Sequence, residues 1–119
     1  MRSDAGLDDG LARLSEVTVR SRAMEVRPDL TGHADLAHAF DLEGSLLAAR
    51  ATLECALERR ESRDAHVRLD YPDQDPRLRV HLVWDRDGGI TTEPPGEPSA
   101  AVAALADAPQ VEITGRLLE

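Results

Sequence analysis

The sequence predicts a mostly α-helical domain: a helical bundle of the spectrin-repeat kind lacking its first helix, followed by a small β-hairpin and an irregular tail. Three observations predict it. Leu36, Ala39, Leu42, Leu46, Ala49, Leu53 and Ala56 repeat at spacings of 3, 3, 4, 3, 4 and 3, the mark of a helical packing seam. Leu78, Val80, Leu82 and Trp84 alternate with Arg79, His81 and Val83, the period of a half-buried strand. Phe40, Tyr71 and Trp84 are the only aromatic residues, so a core must be built from Leu, Val and Ala, which favours helix over sheet.

The first helix is expected from Leu7 to about Arg22, because Leu7, Leu11, Leu14 and Val17 line one face. Asp4 is the expected N-cap, Asp8 and Asp9 suit the positive helix start, and Gly10 weakens the segment. Pro28 breaks the helix in the connection from Val26 to Thr31. The seam helix is expected from Thr31 or Gly32 to Arg60, with Phe40, Leu47 and Leu57 widening its buried face and Arg59 and Arg60 in its last turn. Two helices cannot bury both of their faces alone, and Leu7 follows Met1 too closely for a preceding bundle helix. The chain therefore reads as a fragment, or as a domain that completes its core against something else.

Glu61 to Arg77 is charged and punctuated by Pro72 and Pro76. Asp87-Gly88-Gly89 signals a hairpin turn, with Ile90 to Glu93 as the return strand. Pro94, Pro95, Gly96 and Pro98 form a stiff linker, Ser99 caps a short Ala-rich helix to Ala108, and a strand is expected at Val111 to Thr114. Residues 1–77 thus hold the helices and the charged loop, and residues 78–119 the ribbon and tail of the same single domain.

At 119 residues the length fits one domain. Fourteen Arg and no Lys stand against 23 acids, for a net charge of −9, which argues against nucleic acid as a partner. Cys55 is the single cysteine, so a reducing, cytoplasmic compartment is expected. The Met1-Arg2-Ser3-Asp4 start has no apolar run behind it, so no signal peptide and no membrane insertion are expected.

Catalytic, metal-binding and cofactor-binding residues are not expected. His33 and His38 are five apart, not the i, i+4 spacing that aims two ligands at one metal. Cys55 sits among Leu53, Ala56 and Leu57 as a small apolar side chain. No glycine-rich phosphate loop occurs. The one dense polar constellation is Glu61-Ser62-Arg63-Asp64-Ala65-His66-Val67-Arg68-Leu69-Asp70-Tyr71-Pro72. From the residues alone, a salt-bridged loop that aims the helix into the strand and a docking surface of arginine forks are about equally good readings.

This run resembles the signature near the C-terminus of succinate dehydrogenase and fumarate reductase flavoprotein subunits, which L-aspartate oxidases share in part. Its neighbours agree: the family has a long helix before the run, an acid-rich helix start before that, and a strand of the Arg79-Val80-His81-Leu82-Val83-Trp84 kind after it. The ending Gly115-Arg116-Leu117-Leu118-Glu119 is similar to that of actinobacterial members. Two positions depart from the family. Asp64 replaces a usual Gly, which implies a left-handed backbone that Asp tolerates, and His38 replaces a frequent Asn.

The resemblance implies that FAD belongs to the parent flavoprotein and not to this chain, and that the parent interconverts succinate and fumarate; it allows a place for the parent at the cytoplasmic face of a membrane. It implies that this domain packs against the parent's flavin-binding domain through Glu61, Ser62, Arg63, His66, Arg68, Asp70 and Tyr71. An iron–sulfur subunit is a further partner the resemblance allows. A small, self-contained interaction module is the alternative, favoured by a compact monomer. Exposed apolar surface, or a homodimer through the helix stripes, favours the fragment. For a loop that docks elsewhere, Arg63→Ala is expected to alter the stability of this chain by no more than about 0.5 kcal/mol.

Overall fold

Ser3, extended at φ −142°, caps the first helix by accepting the Gly6 N–H at 3.3 Å. The computed structural model describes residues 2–27, 29 and 33–106. Helix α1 runs Asp4–Ser21. The expected cap, Asp4, is instead its first residue, because its carboxylate is taken up by Arg68. Leu7 is buried, and Leu11, Leu14 and Thr18 continue the stripe half-buried, while Val17 is 45% exposed. The Thr18 hydroxyl is satisfied by donating to the Leu14 carbonyl at 2.8 Å, so a polar residue takes the inward position expected for Val17.

Helix α2 runs His33–Glu58 and packs along α1. Its described start at His33 leaves the expected boundary at Thr31 or Gly32, and the Pro28 break, outside the described residues. Leu42, Leu46, Ala49 and Leu53 are half-buried and Ala56 is buried, as the seam requires. Gly10 of α1 lies beneath Leu53, where a Cβ would stand 3.4 Å from Leu53 Cδ2. Phe40 is 74% exposed and Leu36 40%, against the expectation that both join the buried face. They lie on a face of α2 that α1 does not cover.

The helix ends at Glu58, two residues before the expected Arg60. Arg59 leaves the last turn because its guanidinium reaches across to the carbonyls of Leu78 at 2.8 Å and Val80 at 2.7 Å. With those carbonyls engaged, the strand begins at His81 rather than Leu78. A 3₁₀ turn at Pro76–Leu78 precedes it, capped by Asp75, which accepts the Arg77 N–H at 2.9 Å.

Strands β1 (His81–Asp85) and β2 (Gly89–Glu93) pair antiparallel, with Trp84 opposite Ile90 and Asp85 opposite Gly89. The three-residue loop is held by Asp85, whose carboxylate accepts the N–H groups of Asp87 and Gly88. Gly89 supplies the positive φ of 75° that such a loop needs. Leu82 and Trp84 face inward half-buried, and the Trp84 indole N–H donates to Glu54 of α2. Ser99 accepts the Val102 N–H at 3.3 Å and opens α3 (Ala100–Ala106). The strand expected at Val111 to Thr114 and the tail lie outside the described residues.

Among the described residues Leu7 and Ala56 are the buried apolar ones, and beside them Glu61 and Arg68 are buried at 0% and 1% exposure. The centre of this chain is thus as much ionic as apolar.

Candidate functional site

The loop after α2 opens with a tight bend. Arg63 and His66 exchange both backbone hydrogen bonds at 2.8 Å, and Asp64 between them takes φ 51°, the left-handed conformation implied by a Gly-favouring position. Ser62 then closes the loop on itself. Its hydroxyl accepts the Arg68 N–H at 2.9 Å and donates to the Tyr71 carbonyl at 2.8 Å, while its own N–H donates to the Asp73 carbonyl at 3.0 Å.

Glu61 turns inward at the start of the loop. Its carboxylate accepts Arg59 at 2.7 Å, Arg63 through two nitrogens at 3.0 and 2.9 Å, and the Asp75 N–H at 2.9 Å. Four donors on one carboxylate strongly favour the ionised form. The Arg63 fork contributes most, outweighs the cost of burial, and holds Glu61 at a pKa of about 2. Arg63 remains 27% exposed, and its Nη1 makes no hydrogen bond among the described residues.

Arg68 is the second anchor. It meets Asp70 through two parallel bonds at 2.9 and 2.8 Å, donates to the Ala56 carbonyl at the end of α2 at 2.7 Å, and donates to the Asp4 carboxylate at the start of α1. Its guanidinium carbon lies 5.0 Å from the Tyr71 ring centroid, a stacking distance that suits a planar cation. Asp70 is held well below the usual carboxylate range, first by Arg68, and it also accepts the Asp4 N–H at 2.7 Å. Arg2 pairs alongside as a short parallel bridge, its N–H on the Val67 carbonyl at 3.1 Å and its carbonyl accepting the Leu69 N–H at 2.8 Å. One arginine therefore joins the start of α1, the end of α2 and the loop.

His66 is half-buried, with Nε2 3.1 Å from the Arg59 carbonyl and Nδ1 3.5 Å from Arg2. The structure thus brings all seven candidate residues into one loop, with Glu61 and Arg68 turned into the chain and Arg63, His66, Asp70 and Tyr71 keeping partial exposure. Sequence reasoning missed Asp4 and Arg59 as members of this network. Arg59 carries a local signal, since it adjoins Glu61, but Asp4 lies 64 residues from Arg68 and nothing local announces it.

The thiol of Cys55 is pushed up, chiefly by burial and further by Glu54, the opposite of what a nucleophile needs. Among the described residues no three His, Cys, Asp or Glu side chains converge as a metal site. The described residues also do not fit a flavin dinucleotide. The α1 start presents Asp4, Asp8 and Asp9 where a diphosphate would need bare N–H groups, and α2 presents Asp35 in its first turn. The open groove beside Arg60 and Arg77 is shared with Glu58, Asp73 and Asp75. Among the described residues no helix is long and apolar enough to cross a membrane.

Fold and loop together define a helical domain closed by a buried ionic clasp. Its residues 1–98 match the model of the fumarate reductase flavoprotein C-terminal family. The chain is 35% identical over 77 residues to the succinate dehydrogenase flavoprotein subunit of Rickettsia bellii, covering 64% of this chain and 13% of that protein. It is 31% identical over 112 residues to the L-aspartate oxidase of Rhodospirillum rubrum, covering 94% of this chain and 34% of that protein. Its fold matches a chain of the Mycobacterium smegmatis Sdh1 complex in the apo form with a TM-score of 0.73 at 30% identity, over 82% of this chain and 18% of that one. The chain belongs to the family of C-terminal domains of succinate dehydrogenase and fumarate reductase flavoproteins, and it spans a small part of the relatives it matches.

Proposed function

We propose that this chain serves as the docking domain of an FAD-dependent flavoprotein that interconverts succinate and fumarate, and that it carries no catalytic group itself. The observation that supports this best is the loop from Glu61 to Tyr71 in a chain of this family. Glu61, Ser62 and Arg68 give the loop its shape. Arg63, His66, Asp70 and Tyr71 present their exposed edges to the flavin-binding domain, with the unbonded Nη1 of Arg63 as a donor for a facing carboxylate or carbonyl. Residues 1–77 form the docking body of this single domain and residues 78–119 its ribbon and tail.

An iron–sulfur subunit is a partner of the whole flavoprotein in this reading, which places the assembly at the cytoplasmic face of a membrane. Exposed Phe40 gives the isolated chain a route to homodimers. The reading of a self-contained interaction module has one observation in its favour: the clasp is satisfied within the chain, with no buried side-chain polar atom left unpaired among the described residues.

The test is reconstitution. A Mycobacterium smegmatis Sdh1 flavoprotein cut before the segment that this chain matches is produced alone and with this chain. A one-to-one complex that retains flavin absorbance, when the cut protein alone loses it, is the expected result. Separate elution of the two, with flavin content unchanged, refutes the docking role.

A further inference from the structure

At the tip of the ribbon, Asp85, Arg86, Asp87, Gly88 and Gly89 are all exposed. One oxygen of Asp85 accepts both the Gly88 N–H at 2.7 Å and the Asp87 N–H at 2.9 Å. These two donors, Gly88 first, hold the Asp85 carboxyl below its usual range, so it is a charged acceptor at neutral pH. The same carboxylate restricts position 88. A Cβ there would stand 3.1 Å from Asp85 Oδ1, close enough that the carboxylate would have to give way. The turn therefore calls for glycine directly after Asp87.

Glycine after an aspartate has a chemical consequence. With no side chain beside it, the Gly88 nitrogen can close on Asp87 Cγ. A C–N bond forms, the amide proton and the carboxyl hydroxyl leave together as water, and a cyclic succinimide results. Water then opens the ring at either carbonyl. Opening at the backbone carbonyl leaves Gly88 joined through the Asp87 side chain, an isoaspartate with an extra backbone carbon. The attack requires the Gly88 nitrogen to turn toward Asp87 Cγ and give up its proton. In the folded tip that N–H points at Asp85 instead, and the Asp87 N–H is tied to the same oxygen, so the peptides on both sides of Asp87 are fixed.

We infer that Asp87–Gly88 is a latent isoaspartate modification site and that Asp85 is the guard that holds it closed. The residue that imposes glycine on the turn also restrains the reaction that glycine permits. Modification at this point reaches beyond the loop. The added carbon falls next to the Asp85–Gly89 and Trp84–Ile90 pairs of the ribbon, and Trp84 hydrogen-bonds Glu54 of α2. A modified tip thus loosens the seat of the ribbon on the helix.

The experiment ages the folded chain at neutral pH over weeks, beside a free peptide of residues 83–91. Isoaspartate is counted by methyl transfer from S-adenosylmethionine with an isoaspartyl methyltransferase and assigned to Asp87 by tandem mass spectrometry. The chain is expected to accumulate it at least roughly tenfold more slowly than the peptide, a comparison that needs no variant. Asp85→Ala brings the rate up to that of the peptide, whereas Asp85→Asn, which keeps an acceptor oxygen, stays near the unaltered chain. Leu46→Ala weakens the seam without touching the tip and leaves the rate unchanged, all variants being compared where circular dichroism shows them folded. Equal acceleration by Leu46→Ala and Asp85→Ala would place the protection in the fold as a whole and overturn the inference. So would a chain that ages as fast as the peptide, or an Asp85→Ala variant that forms no isoaspartate at Asp87. A slower reaction in Asp85→Ala would make the carboxylate a base that promotes ring closure, and the guard role falls.

Discussion

A carboxylate with no exposed surface stays charged only because every oxygen has a partner, and Glu61 is that case. Arg63 provides two of its bonds, which revises the expectation of a negligible effect on removal. Arg63→Ala leaves both Glu61 oxygens short of donors inside the chain and is expected to cost about 1–3 kcal/mol, read from urea unfolding at neutral pH. A cost under about half a kcal/mol would mean that Arg63 serves only an outside partner. The same carboxylate sets an acid limit. Its pKa falls from 4.5 in the open chain to about 2 when folded, so its stabilisation is complete above pH 4.5 and is lost as the pH drops toward 2. Asp70, also held low, acts in the same direction. Urea midpoints should therefore fall steeply below pH 4.5, and Glu61→Gln should flatten that fall.

At the scale of elements, three glycines lie inside the described helices, and two of them, Gly10 and Gly44, have room for a Cβ. A Cβ at Gly10 would make ordinary contact with Leu53, and one at Gly44 would meet open space. Gly10→Ala and Gly44→Ala should each raise stability by about 0.5–1 kcal/mol, while Gly89→Ala at φ 75° should lower it. Thermal melts of the three variants check the signs. The elements themselves were legible in the sequence because period 3.6 and period 2 are local signals: the two helices and the hairpin follow from neighbours in the chain, while the left-handed Asp64 was implied by the family resemblance, which has Gly there. What was not legible depended on distant partners. The α2 boundary moved because Arg59 bonds carbonyls about twenty residues on. Phe40 was assigned to the seam because periodicity marks a residue as apolar and does not tell which of two apolar faces has a neighbour.

For the whole molecule, the sequence foretold a chain that needs something beyond itself, and the exposures of Leu36 and Phe40 agree. The seven loop residues were legible as one cluster, since they fall in one short run, but the inward turn of Arg68 was not, since it depends on Asp4. That long-range contact has a kinetic consequence. The helices and the Glu61–Asp75 network join residues close along the chain, whereas the Asp4–Arg68 bond closes a span of 64 residues. Distant closures carry the larger entropic delay, so this clasp should form after the barrier to folding has been crossed. Asp4→Asn should then leave the refolding rate nearly unchanged and speed unfolding by roughly tenfold, which stopped-flow chevrons would show. A slowed refolding limb would instead place the clasp in the nucleus. If the clasp forms late, Asp4 acts as a latch, and one carboxylate at the first residue of α1 lengthens the lifetime of the folded chain without hastening its formation.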